Sequence, residues 1–296
     1  QDRTAMERIM LADAAPAGAA PPGGRSAIVL GGGGVFGATQ VGMLRALLES
    51  GFTPDMVIGT SVGALNGAAI AANPTRAGVD VLADLWSSLG QTGMFTENVL
   101  ARAGTLARYR THLYSPAPLR TLLTSHLPAT FADLTIPFQC VAASIERSVA
   151  HWFSAGNLID AVMASCAVPG LLPPVVIDGE HFLDGGLVHS IPVGRALALG
   201  ATEIYVLHVG RIEQPLAAPR SLWDVCLISF EVARRHRFVE EMASLPADVR
   251  VHVLPSGEEK MPLVSMRYRH TRAAAARMQR GYEAATEYLS SQADTA

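Results

Sequence analysis

The chain predicts an α/β protein built on a mainly parallel sheet, and three observations carry that prediction. Two short apolar runs rich in branched residues, Ser26–Leu30 and Met56–Thr60, each pass through a small-residue turn into a helical pattern. Continuous apolar strands of this kind are buried on both faces, as strands of parallel sheets are. A third run, Glu203–Val209, has the same character much later in the chain. Alternation of strand and helix then selects a parallel unit with right-handed crossovers.

The elements follow in order. Ser26–Leu30 is the first strand, and Gly31-Gly32-Gly33-Gly34-Val35-Phe36-Gly37 is the turn after it. Ala38–Glu49 is a helix with Val41, Leu44, Leu47 and Leu48 on one face and Gly51 as its stop. The strand at 56–60 runs into Gly59-Thr60-Ser61-Val62-Gly63 and a small-residue helix that Asn73-Pro74 ends. Residues 78–127 are mostly helical, with an apolar stretch of no clean period at Thr92–Thr111. That stretch is either a lid or a core-packing connection. Phe138–Ser144 and Val149–Phe153 are strands, Leu158–Cys166 a helix, and Val175–Ile177 with His181–Leu183 a hairpin around Asp178-Gly179. Asp184-Gly185-Gly186 follows at once. Helices at Pro192–Leu199, Ser221–Ser244 and Thr271–Leu289 and a strand at Arg250–Leu254 complete the chain.

Composition narrows the function classes. The chain has 296 residues, of which 49% are hydrophobic and 17% charged, enough for a large core. A net charge of -3 gives no reason to expect nucleic acid as a partner. Cys140, Cys166 and Cys226 are too scattered for a zinc or redox motif, and a reducing, cytoplasmic setting is the simplest reading. Residues 1–25 read as a flexible leader without signal-peptide pattern, and 26–296 as a single domain. Residue 1 is Gln, consistent with a segment of a longer protein. The longest apolar run, Ala161 to Ile177, is broken by three prolines, so the expected membrane contact is peripheral.

Two turns invite chemistry. Gly59-Thr60-Ser61-Val62-Gly63, between strand and helix, fits a nucleophile elbow, where the serine stands at a sharp turn flanked by small residues. The bland alternative is Ser61 as an ordinary N-cap. The glycine run at 31–37 also fits a dinucleotide fingerprint, but the second strand ends in the Ser61 turn without the ribose-binding acid. A P-loop fails because no lysine follows Gly37. What is left is a run of backbone N–H groups at a helix start, suited to an anion. In a parallel sheet that run and the Ser61 turn lie on one edge, so the amides could stabilise the oxyanion of acyl transfer.

Three elements coincide in order: Gly32-Gly33-Gly34-Val35-Phe36-Gly37, Gly59-Thr60-Ser61-Val62-Gly63 and Asp184-Gly185-Gly186, with Ala164-Ser165-Cys166-Ala167-Val168-Pro169-Gly170 before the last. Together they resemble the patatin-like phospholipase family of serine acyl hydrolases over about Ala27–Gly210. The resemblance implies a three-layer α/β/α fold and a Ser–Asp dyad, with Ser61 as nucleophile and Asp184 as general base. It implies Gly32, Gly33 and Gly34 as the oxyanion loop, with Gly37, Gly59, Gly63, Gly185 and Gly186 supporting the motifs. It implies a phospholipid, lysophospholipid or other acyl ester as substrate, cleaved through an acyl-enzyme with no cofactor and no metal. Two positions depart from the family's pattern: Phe36 where many members carry Arg or Lys, and His189 where many carry Asn.

Two rival readings stand beside this one. A Ser–Asp–His triad could use His189, His208, His252 or His270, though nine histidines make that order common by chance. A non-catalytic nucleotide- or lipid-binding module would use the glycine loop alone. The basic clusters Arg234-Arg235-His236-Arg237 and Arg267, Arg269, Arg272 are either contacts for anionic lipid or solvated helix faces. Chain-length preference, regiospecificity and oligomeric state leave no mark in the sequence.

Overall fold

A computed structural model describes residues 24–89, 104–105, 107–209, 215–220, 222–257 and 272–293. Residues 1–23 of the leader, most of the 92–111 stretch, and Arg267, Arg269 and His270 lie outside the described residues, as do the side chains of Cys226 and Arg272.

The strands are β1 (Arg25–Leu30), β2 (Met56–Thr60), β3 (Phe138–Ser144), β4 (Ala150–Phe153), β5 (Val175–Ile177), β6 (Glu180–Asp184), β7 (Ala201–Leu207) and β8 (Arg250–Leu254). The helices are α1 (Gly37–Glu49), α2 (Val62–Ala72), α3 (Arg76–Leu89), α4 (Ala117–His126), α5 (Leu158–Ser165), α6 (Val193–Ala198), α7 (Leu222–Ala243) and α8 (Arg272–Ala293). Strand pairing follows the path β5-β6-β3-β2-β1-β7-β8, and β4 also pairs with β3. The block β3-β2-β1-β7-β8 is parallel; β4, β5 and β6 pair antiparallel. Strand β7 begins and ends two residues earlier than the apolar run Glu203–Val209, and its last carbonyl, Leu207 O, accepts the Gly31 N–H.

Strand alternation explains the layers. Ile28 and Leu30 of β1 with Val57 of β2 face a core shared with α1 to α5 and α8, while Ala27, Val29, Met56 and Ile58 face a second core closed by α6 and by Phe238 of α7. Helices therefore cover both faces, giving three α/β/α layers around a mostly parallel sheet.

Close approach of backbones sets the local geometry. A side chain at Gly59 would fall on the Gly63 carbonyl, and one at Gly63 on the Leu30 carbonyl. Strand β2 and helix α2 therefore pack with almost nothing between them. The outer contact of α1 with the terminal helix α8 works the same way: Gly42 lies against the Met278 carbonyl and Gly281 against that of Thr39.

A buried polar chain ties these layers to the glycine loop. Trp86 Nε1 on α3 donates to Asn66 Oδ1 on α2 at 2.8 Å, and Asn66 Nδ2 donates to Gly37 O and to Gln40 Oε1. Gln40 Nε2 on α1 in turn donates to Gly31 O at 2.8 Å and Leu207 O at 2.9 Å. All of these groups are buried and mutually satisfied, so the network specifies one position for the loop after β1.

Candidate active site

Ser61 sits between β2 and α2 at φ 55° and ψ -124°. A serine at positive φ is strained, and such strain marks residues held by their surroundings for a purpose. Its side chain does not cap α2. Ser61 thus stands at the N-cap position of a sharp strand-to-helix turn without using its side chain to cap the helix. Two bonds hold the turn from outside: the Ser61 N–H donates to the buried Ser165 Oγ at 2.9 Å, and Thr60 Oγ1 donates to the His189 carbonyl at 2.7 Å.

Asp184 arrives through the registry of β3. Strand β4 occupies one edge of β3 over Cys140–Ala143. Strand β2 pairs with Phe138–Val141 and β6 with Ala142–Ser144, so both must lie on the other edge, end to end. Thr60 is opposite Val141 and Asp184 opposite Ala142. The last residue of β2 and the last of β6 therefore meet, and the turn that leaves β2 begins with Ser61.

The contact that results is direct. Ser61 Oγ donates to Asp184 Oδ2 at 2.6 Å, and the Gly186 N–H donates to Asp184 Oδ1 at 2.7 Å. Gly185 is required beside this carboxylate because a side chain there would fall on the Val141 carbonyl. Asp184 is buried, and that burial raises its pKa to about 6 against the opposing pull of the two hydrogen bonds. A buried carboxylate with raised basicity, bonded to a hydroxyl, can take that hydroxyl's proton as it attacks a carbonyl carbon.

The glycine loop lies against the same turn. A side chain at Gly32 would touch Ser61 Cβ at 3.4 Å. Of the three amides expected to receive an oxyanion, that of Gly32 is already engaged, donating to Ser190 O at 2.9 Å. Among the described residues, the Gly33 and Gly34 amides meet no protein acceptor. Phe36, which replaces the expected basic residue, is buried under the Arg277 guanidinium of α8 at 4.7 Å, so a cation does stand at this loop but comes from another element.

Of the candidate triad histidines, the three among the described residues have other neighbours. His189 Nδ1 pairs with Glu241 at 2.9 Å and its ring packs on Trp152. His252 stacks on Tyr205, and His208 stacks on Phe238. Among the described residues no imidazole stands between Ser61 and Asp184, whose hydrogen bond is direct. The basic cluster on α7 is not a uniformly solvated face either: Arg234 and Arg235 both pair with Glu231. Ser165, Ser190 and Asn66 carry no signal of a role in the residue order, although Ser165 falls within the Ala164–Gly170 segment.

Against known proteins, the patatin-like phospholipase profile matches residues 28–197. Lysophospholipase nte1 of Aspergillus terreus is 34% identical over 201 residues, which are 64% of this chain and 12% of that one. Lysophospholipase NTE1 of Mycosarcoma maydis is 30% identical over 209 residues, 67% of this chain and 10% of that one. The match thus spans only about a tenth of those relatives' length. Among solved structures, VipD from Legionella pneumophila is similar with a TM-score of 0.47 at 16% identity, covering 92% of this chain and 68% of that one. The ExoU–SpcU complex of Pseudomonas aeruginosa gives 0.45 at 18% identity, covering 92% of this chain and 52% of the matched one.

Proposed function

The chain belongs to the patatin-like phospholipase family, and from that premise we propose that it hydrolyses lipid acyl esters with Ser61 as nucleophile and Asp184 as its only general base. The single observation that carries the reading is the 2.6 Å bond from Ser61 Oγ to the buried Asp184 carboxylate. Asp184 takes the hydroxyl proton as Ser61 attacks the ester carbonyl. The Gly33 and Gly34 amides receive the oxyanion, while Gly32 uses its own N–H to hold the loop against Ser190. Asp184 then gives the proton to the departing alcohol, and water enters by the reverse sequence to release the acyl group. The relatives' printed names make a lysophospholipid the first substrate to try. Among the described residues no helix is long and apolar enough to cross a membrane, and no cluster of side chains could hold a metal ion.

The test combines fluorophosphonate labelling with hydrolysis of p-nitrophenyl esters and lysophospholipids by wild type, Ser61→Ala, Asp184→Asn and His189→Ala. Ser61→Ala abolishes labelling, both dyad variants abolish turnover, and His189→Ala keeps most activity, because only its carbonyl touches the Ser61 turn. Labelling that survives Ser61→Ala, or turnover that survives Asp184→Asn, sinks the reading.

A further inference from the structure

The end of helix α5 holds the backbone of Ser61 and of Asp184 together. Ser165, the last residue of α5, is fully buried, and its Oγ accepts the Ser61 N–H at 2.9 Å. Two residues on, the carbonyl of the equally buried Ala167 accepts the Asp184 N–H at 2.9 Å. The two bonds differ in kind. Ala167 offers a backbone carbonyl, which any residue supplies, whereas the acceptor for Ser61 is a side-chain hydroxyl that most residue types lack.

Ser61 needs that acceptor because of where it stands. Its φ of 55° is unfavourable for a residue with a side chain. At a helix start the backbone N–H groups find no partner within the helix, and Ser61 is buried. Without Ser165 Oγ its amide would be a buried donor left open. Rotation of the Thr60–Ser61 peptide would then relieve the open donor and the positive φ at once. The same rotation releases Ser61 Oγ from its 2.6 Å contact with Asp184 Oδ2. The bond from Thr60 Oγ1 to the His189 carbonyl restrains the Thr60 side chain and not this peptide.

We propose that Ser165 is a positioning residue whose hydroxyl oxygen keeps the Thr60–Ser61 peptide in the strained orientation that aims Ser61 Oγ at Asp184. The inference rests on Ser61 being the nucleophile. Ser165 acts through the Ser61 backbone and takes no part in the proton transfer. A nucleophile displaced by about 1 Å loses on the order of a hundredfold in rate. That loss falls on kcat, because the Ser61–Asp184 bond aligns the attack and does not hold the acyl chain.

The experiment compares the full chain as wild type, Ser165→Ala, Ser165→Cys and Ser165→Thr, with a p-nitrophenyl ester and a fluorophosphonate. Alanine is smaller than serine and cysteine is larger, and neither offers a strong acceptor, whereas threonine keeps the hydroxyl. Ser165→Ala and Ser165→Cys each lower kcat by about tenfold to a hundredfold, leave KM within about twofold, and slow labelling of Ser61 by a similar factor. Ser165→Thr restores most of kcat. The final extent of labelling counts folded sites, so each rate is taken per intact site. If the methyl group of threonine unfolds the chain, the alanine and cysteine variants decide by themselves, since equal losses on either side of the native volume follow the missing oxygen. Wild-type kcat per site in Ser165→Cys, or a loss confined to KM or to the number of folded sites, overturns the role of Ser165. A wild type that neither labels nor cleaves refutes the hydrolase reading itself, and this inference with it.

Discussion

The hydrogen bond between Ser61 Oγ and Asp184 Oδ2 joins residues 123 apart in sequence, and the sharing of one β3 edge by β2 and β6 closes that gap. Neither strand could shift by a residue without parting the pair, since such a slip turns every side chain to the opposite face.

If hydroxyl and carboxylate act as one unit, their losses do not add. Ser61→Ala and Asp184→Asn each lower kcat by about 10⁴-fold, and the double variant is no slower than Ser61→Ala. Steady-state hydrolysis of a p-nitrophenyl ester measures this; a double variant slower by the product of the two losses argues for independent roles.

The raised pKa of Asp184 predicts an acid limb. A base at Asp184 would act as carboxylate, so under the proposed mechanism kcat/KM is level above pH 7 and falls about tenfold per pH unit below about 6. A profile flat from pH 5 to 8 removes Asp184 as the base.

The same burial predicts a stability trade-off. Because the folded pKa of about 6 lies above the ordinary carboxylate value, the folded chain holds a proton that the unfolded chain has lost between about pH 4 and 6. This group's contribution to stability therefore declines as pH rises through that window and is fully unfavourable above it. Asp184→Asn, which can still accept from Gly186 and donate to Ser61, raises stability by up to about 3 kcal/mol at pH 7.5, with the gain vanishing near pH 4. Urea unfolding of both proteins at the two pH values checks it; a difference independent of pH rules out the carboxylate charge as its source.

Asn66→Ala removes the hydrogen bonds to Trp86, Gln40 and Gly37 at once. It strands a buried indole N–H and a buried amide oxygen, at a cost of about 2–4 kcal/mol. It also lowers kcat, because the Gln40 that holds the glycine loop loses its own anchor. Urea midpoints and ester kinetics report the two effects; a midpoint within about 0.5 kcal/mol of wild type denies the network its role.

Gly42→Ala adds a methyl group where the Met278 carbonyl already lies. It pushes α8 off α1 and destabilises the fold by about 1–3 kcal/mol through overpacking. Proteolysis within 272–293 becomes faster than in wild type; unchanged cleavage there speaks against the close contact.

The local features were legible in the residue order. Branched apolar runs ending in glycine turns define the parallel strands and the elbow, since small residues next to Ser61 answer a steric demand written in adjacent positions. Asp184-Gly185-Gly186 reads by itself as an ordinary turn, and only the resemblance of the three ordered motifs to the family singles out Asp184. The tertiary structure alone decided which groups those residues meet. Pairing between β2, β3 and β6 spans long stretches of chain and leaves no local period, so the end-to-end arrangement on β3 could not be read in advance. Nor could the loss of the Gly32 amide to Ser190, the grip of Ser165 on Ser61, or the reach of Arg234 toward the loop. Whether a donor is spent or available depends on which carbonyl or hydroxyl the fold brings beside it, and that neighbour comes from distant chain.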